Sequence, residues 1–382
     1  MYTKNGYEVK LFIDGFEITN QVGTKLINFS IFESIEDPIP ACKLEFLAHK
    51  EFLEQRPILD GSEILVYVKS ESFKIEEAYC FRVFSIDKII QSQEFLTIYV
   101  TGLIDFLDGY TPANTFNTFA PSCEIIRTIA EKYKLKYDID TTSDSQLWVA
   151  GENNIYQFIA KLAKKAYADD TSAFFWCIDR RKRLLFKNIT SLFAGRSKEI
   201  YSFVQSTGYS LQNKMYYYTA VVPSMENGLN NIKAGGYGGN NYYFDFNTYS
   251  NKSAFCKKAF SGNKYLNISK VYSKGLAPKF LPFDVGNFHP NYYNAEKQNE
   301  RILATYSTQL TVVSQILQNY RLGQIVNFYP GDTNSAAYII PALSGLYIIK
   351  TITLNITAQA ATGTLQLSSQ GLNSENSVVE VY

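Results

Sequence analysis

One stretch constrains the fold more than any other, because the apolar period changes inside it. Between Pro121 and Ile189 two segments carry helical spacing. Ile125, Ile126, Ile129, Ala130 and Tyr133 form one apolar stripe, and Ile155, Phe158, Ile159, Leu162, Ala163 and Ala166 form a second after a polar gap. Ser122 is placed to cap the first helix, and Asn153 or Asn154 the second, since a short oxygen-bearing side chain can accept an otherwise orphaned amide hydrogen. Directly afterwards come Ala173-Phe-Phe-Trp-Cys-Ile, the charged turn Asp179-Arg-Arg-Lys-Arg, and Leu184-Leu-Phe-Lys-Asn-Ile. These read as strand, hairpin turn and strand.

The flanks read differently. On the amino-terminal side Val9, Leu11 and Ile13 alternate with Lys10 and Phe12, and Asp14-Gly15 supplies a two-residue hairpin turn whose central positions need φ > 0. Lys25–Ser34, Ala41–Leu47, the run after Asp60-Gly61, Cys80–Ile90 and Glu94–Leu103 add further strands. Roughly six short strands bounded by turn residues predict a small barrel or sandwich. On the carboxyl-terminal side Tyr201–Val222 resumes strand character, and Asn227–Asn241 is a long Gly- and Asn-rich loop. Tyr292–Ala304 reads as one short polar helix. The segments around Thr305–Leu317, Leu322–Tyr329, Gly345–Ile356 and Thr362–Ser369 complete a second β region. In each β region a glycine opens a strand and a later strand sets an aromatic among branched residues, a pattern consistent with internal duplication. The expectation is an α+β, mainly β chain: a first β domain over 1–110, a helical and hairpin module over 111–190, a second β domain with long loops over 191–372, and a tail over 373–382.

Bulk properties narrow the function classes. A length of 382 residues favours two to four domains. The formal net charge of +1 argues against electrostatically driven binding to nucleic acid or anionic lipid. The 29 Tyr and 27 Phe suit both strands and subunit contacts. Cys42, Cys80, Cys123, Cys177 and Cys256 are odd in number and widely spaced without a C-x-x-C, which favours buried free thiols over a disulfide framework or a zinc site. No basic run followed by an apolar run opens the chain, and no window approaches ~20 apolar residues, so neither a signal peptide nor a membrane span is expected.

Candidate chemistry is sparse. His49 and His289 lack a Cys or His partner at ligand spacing, so surface or satisfied core positions are expected for them. The glycines at 235, 236, 238 and 239 precede neither Lys-Ser/Thr nor an apolar helix, which favours an interaction loop over a phosphate cradle. Asp169-Asp170, or Glu152 with Asp144, are the carboxylates that could cleave a sugar; Asp169-Asp170 falls between a helix and a strand, where acidic residues decorate solvated turns. Arg180-Arg-Lys-Arg is expected to be a solvated hairpin tip or a partner contact rather than a nucleic-acid reader. The expectation is no enzyme, with no catalytic, cofactor-binding or metal-ligating residue and no cofactor.

The order of parts resembles the hub proteins of phage tails and baseplates, including the late-control tail protein D family and the hub part of type VI secretion spike proteins. The likeness rests on Cys123-Glu-Ile-Ile-Arg-Thr-Ile-Ala-Glu-Lys-Tyr, on Gly151-Glu-Asn-Asn-Ile-Tyr-Gln-Phe-Ile-Ala-Lys-Leu-Ala, on the hairpin Phe174–Ile189, and on the two flanking β regions. Ile155-Tyr156 stands where that family usually carries Asp-Trp. The resemblance implies two tail-tube-like β-barrel domains separated by the small helix-helix-hairpin module. It implies a homotrimer whose barrels form a ring, adapting a sixfold tail tube to a threefold spike or tip. Expected partners are the tail tube protein, a separate spike or tip protein and other baseplate proteins. DNA would pass through the lumen without sequence-specific binding. The expected location is the virion tail or baseplate, after synthesis in the host cytoplasm. Only a short tail follows Ser369, so any spike or cell-wall enzyme is expected on a separate chain. The alternatives are a hub of a non-phage contractile injection system, or a carbohydrate-binding tail protein, for which the Tyr-rich loop 237–249 is the best feature.

Overall fold

The computed structural model describes residues 3, 6–71, 75–92, 94–194, 201–205, 214–217, 219–224, 239–245, 250–256, 289–306, 308–314, 320–332, 343 and 345–369. The glycines at 235, 236 and 238, and the expected tail 373–382, lie outside the described residues, as do all but the last three positions of the loop 227–241. Among the described residues the protein is mainly β, with five helices.

The first β half contains β1 (Glu8–Ile13), β2 (Phe16–Glu17), β3 (Asn20–Gln21), β4 (Thr24–Ser34) and β5 (Ala41–His49). A short helix, α1 (Phe52–Gln55), leads to β6 (Glu63–Ser70), β7 (Ile75–Gln91) and β8 (Phe95–Ile104). Asp14 and Gly15 have φ of +46° and +78°, which lets the β1–β2 turn match the strand twist. β5 and β8 bury every second side chain, as strands with one face on a core must. Hydrogen bonding follows the order β4-β5-β8-β7-β6-β1-β2, and β3 then pairs back with β4. Thr19, buried between β2 and β3, accepts from the Leu11 amide at 2.7 Å on its hydroxyl and from the Leu26 amide at 3.1 Å on its carbonyl. The sheet therefore curls back to its own start around Leu11, Phe29, Leu44, Phe46, Val66 and Phe81.

The helical module follows with β9 (Thr118–Ala120), α2 (Ser122–Lys132), β10 (Lys136–Ile139), β11 (Gln146–Trp148) and α3 (Ile155–Lys165). It ends with β12 (Phe174–Ile178), β13 (Arg183–Asn188) and α4 (Ile189–Ala194). Asn154 caps α3 in a reciprocal box with Gln157. Capping of α2 differs from the expectation. Ser122 is not the cap; its amide and hydroxyl both donate to Asp144, at 2.8 and 2.6 Å. A fully buried carboxylate from across the gap thus closes the helix, where the orphaned amides favour negative charge.

The second β half has β14 (Tyr201–Gln205), β15 (Lys214–Tyr217), β16 (Thr219–Ser224), and a separate hairpin of β17 (Gly239–Asp245) and β18 (Ser250–Cys256). Then come α5 (Tyr292–Thr305), β19 (Thr308–Ser314), β20 (Ile325–Asp332), β21 (Gly345–Thr357) and β22 (Ala361–Ser369). The two halves do not form separate sheets. β21 pairs antiparallel with β4 from Thr351↔Ser34 to Thr357↔Asn28, which joins them in one curled 15-stranded sheet.

α5 is polar in sequence, yet Gln298 and Asn299 are buried. The Asn299 amide group donates to the carbonyls of Ala163, Lys164 and Ala166 at the end of α3, while its oxygen accepts from the Phe174 amide. Gln298 donates to the carbonyls of Asp169 and Ser172. These residues meet the carbonyls that a helix end leaves open, so the second half clamps the module. Asn299→Leu strands several buried backbone groups, and the expected loss is about 1–3 kcal/mol in urea unfolding. An unchanged midpoint would show that the clamp contributes nothing.

Candidate assembly surface

One continuous antiparallel ribbon crosses both halves in the order β16-β19-β22-β21-β4-β5-β8-β7. One side packs on the cores. The opposite side can be read in rows from the pairing. One row runs Thr362, Asn355, Ser30, Lys43, Thr101, Ser85, and the next runs Thr357, Asn28, Glu45, Tyr99, Lys88. All of these are exposed or half-exposed.

Hydroxyl and amide groups dominate this face, and Lys43 and Lys88 balance Glu45 and Asp87 in number. Tyr99 donates to Glu45 at 2.9 Å, and the Lys88 ammonium lies 5.7 Å from the Tyr99 ring. Asp87 accepts from the hydroxyls of Ser85 and Thr101, each at 2.5 Å, and these bonds hold its carboxyl below the usual range. Such a face presents hydrogen-bonding groups without a strong field of either sign.

Both ends of the ribbon are open among the described residues. β6 covers β7 from Ile75 to Arg82, Gly61 and Ser62 bond to Val83, and beyond that β7 pairs with β8 alone among the described residues. Along the uncovered stretch Phe84 is 61% exposed, and Ile86, Ile89 and Ile90 are exposed as well. At the other end β16 bonds only to β19.

The hairpin of the helical module holds the ribbon's central junction. Arg180 is 2% exposed, and its amide donates to Glu33 at 2.7 Å. Its guanidinium also pairs with Glu33 and donates to the Tyr320 carbonyl at 2.9 Å. Glu33 lies on β4 opposite Ile352 of β21, so the ion pair sits where the two halves join. Around it Arg181 pairs with Glu77, Lys182 with Asp105 at 3.3 Å, and the Ile178 amide donates to the Pro38 carbonyl at 2.8 Å. Burial pushes the Glu33 carboxyl up against the pull of Arg180. Burial would lower the Arg180 guanidinium, but Glu33, Tyr79 and Glu77 hold it above its ordinary value. The basic turn is therefore no solvated tip. Its first arginine is an internal anchor, because a buried carboxylate is tolerated only beside a paired cation.

No protein-family model matches the sequence, and no curated protein matches it. Solved structures do. The 43 kDa tail protein of prophage MuSo2 from Shewanella oneidensis aligns over 96% of this chain and 100% of its own, at 11% identity and TM-score 0.60. A tail protein from Neisseria meningitidis MC58 aligns over 95% and 97%, at 9% identity and TM-score 0.56. The chain has the fold of phage tail proteins. A chain of the Francisella PdpA-VgrG complex shares that fold over 95% of this chain and 58% of its own, at 9% identity and TM-score 0.50.

Within this tail-protein fold the sequence-derived candidates lie apart in role. Asp144 is saturated by Ser122 and by the Tyr167 amide, whereas Glu152 is exposed. Asp169 accepts from Thr171, and Asp170 from the Tyr167 hydroxyl at 2.8 Å. His289 is buried, stacks on Tyr167 at 5.9 Å and accepts from the Asn291 amide; burial lowers its pKa. His49 is half-buried and meets Phe95 edge-on. Among the described residues no cluster of His, Cys, Asp and Glu could hold a metal. Cys42, Cys123 and Cys177 are buried free thiols. Sequence inspection missed the Glu33–Arg180 pair; the one signal available was an acidic residue directly after Ile31-Phe32 near the end of a strand.

Two outcomes test the anchor. Arg180→Met leaves Glu33 buried and uncompensated, with an expected loss of about 3–5 kcal/mol in urea unfolding; Glu33→Leu combined with Arg180→Met recovers part of it. A double variant no more stable than the single one would contradict this assignment. The second outcome concerns acid. Burial raises the Glu77 and Asp105 carboxyls, but Arg180 and Tyr79 outweigh this at Glu77, and Arg82 and Lys182 at Asp105, so both titrate below their ordinary values of 4.5 and 3.8. Their stabilisation is present above those values and lost as pH falls through the lowered ones. Amides of 178–183, corrected for intrinsic rate, are expected to exchange faster at about pH 3 than at about pH 6.

Proposed function

We propose that this chain is a structural subunit of a phage tail or baseplate hub. Three copies form a ring in which the two β halves of each copy act as quasi-equivalent barrels. One face of the ring presents six similar units to the tail tube, and the other seats a threefold spike or tip. The work is symmetry matching and force transmission, not catalysis. The observation that carries the reading is the ribbon: one sheet spans both halves, in the fold of phage tail proteins, with a polar face whose charges balance in number. Turned toward the ring axis, that face suits passage of DNA, because a nearly neutral wall offers few cations to hold phosphates. The subunit belongs in the tail or baseplate of the virion. The likeness to a chain of the PdpA-VgrG complex favours one second reading, the hub of a non-phage injection system, which genome neighbours would decide.

Native mass measurement of the assembled tail particle, or of the hub released from it, is expected to give three copies of this chain. A single copy per particle would end the reading. Purified protein on a peptidoglycan zymogram is expected to leave no clearing; a cleared band would make it an enzyme.

A further inference from the structure

We propose that His289 is a proton-operated latch on the clamp that α5 places on the helical module: when it takes up a proton, the start of α5 loses its hold and the clamp loosens. The device lies within the single chain and holds whatever that chain assembles into.

The latch is built at the start of α5. His289 is 6% exposed, and its ring lies between Tyr167, stacked at 5.9 Å, and Tyr292, edge-on at 5.9 Å. Its Nδ1 accepts from the Asn291 amide at 3.2 Å, just ahead of the helix. An accepting Nδ1 carries no proton, so the neutral ring holds its hydrogen on Nε2. That Nε2 is enclosed without a hydrogen bond among the described residues. The backbone of the same residue ties two elements together. Its amide donates to the Gln146 side chain on β11 at 3.2 Å, and its carbonyl accepts from the Tyr292 amide at 3.0 Å. His289 is thus the point where α5 begins against the module.

Protonation works against this arrangement in three ways. A proton on Nδ1 sets a donor against the Asn291 amide, and that bond is lost. The cation lies at the N-terminus of α5, where the helix dipole favours negative charge. The charge is also enclosed, and burial holds the ring below its ordinary value of 6.5. Asp144 and the Lys165 backbone draw the other way, and the Lys165 ammonium adds to the repulsion. Both charged neighbours are already engaged. Asp144 serves Ser122 and the Tyr167 amide, and Lys165 is held by Glu296 at 3.0 Å and lies 4.4 Å from the Tyr292 ring. The Tyr167 hydroxyl donates to Asp170. Gln298 and Asn299 ride on the same helix, so an α5 displaced at its start withdraws them from the end of α3 and the loop after it. With the folded value lowered, the stabilisation is full above 6.5 and is lost as pH falls from there through the lowered value.

Hydrogen exchange of the full chain, corrected for intrinsic rate, tests this between about pH 7 and about pH 5. Peptides covering 292–305 and 163–173 are expected to lose protection as pH falls, by at most about tenfold per pH unit, the slope of a single proton. Peptides covering β5 and β8 keep theirs. His289→Asn leaves an acceptor near the Nδ1 position and takes up no proton, so 292–305 stays protected in acid. His49→Asn removes the other histidine and leaves the loss in place. The unmodified chain supplies a second readout: the His289 ring resonances, assigned by their persistence in His49→Asn, titrate below 6.5 in step with the loss at 292–305. Equal acid loss in His289→Asn would overturn the proposal. So would an unmodified chain that keeps its protection at 292–305, or one that loses it at a pH where the ring does not titrate.

Discussion

The buried pair of Arg180 and Glu33 is the constraint on which the rest of the arrangement depends. A carboxylate enclosed on β4 needs a cation brought to it, and here the turn of a hairpin from a different part of the chain brings it. The pair sets that hairpin at the strand where the two β halves meet. Three parts that are distant in sequence are thereby held in one geometry. Such a pair adds little net stability over a well-packed apolar substitute, because both charges are desolvated. Its effect is on placement: a shifted hairpin leaves an uncompensated charge behind.

A second clamp acts from the other direction. Gln298 and Asn299 on α5 close the end of α3 and the loop that follows it. The module is thus gripped by the second β half through α5 and grips the first half through its hairpin. A small helical insert between two β regions is thereby tied to both of them, on either side of the β4–β21 junction.

The ribbon divides its residues by chemistry. Branched and aromatic side chains fill the cores on one side, and Thr, Ser, Asn and Gln occupy the other, with Lys43, Glu45, Asp87 and Lys88 among them. Hydroxyls orient the Asp87 and Glu45 carboxylates, and Lys43 and Lys88 offset their charge, so the face casts no strong net field. The exposed apolar stretch of β7 stands out against it, at the ribbon's end rather than on its face.

Much of the local structure was legible in the sequence because it depends on near neighbours. Helical spacing located α2 and α3, alternation located β1, β4, β5 and β8, and Asp14-Gly15 located the first turn. Asn153 and Asn154 both stand at the start of α3, and adjacency in the chain suffices to mark the pair as its cap. What the sequence could not disclose were the long-range polar choices. Asp144 displaces Ser122 as the cap of α2, Arg180 goes inward although its neighbours look solvated, and a polar helix buries Gln298 and Asn299. Each of these is settled by which buried groups lack partners after folding, a property of the assembled cores rather than of any segment. The same holds for β21 meeting β4: strand periodicity says that an edge exists, and only the tertiary structure decides what lies beside it.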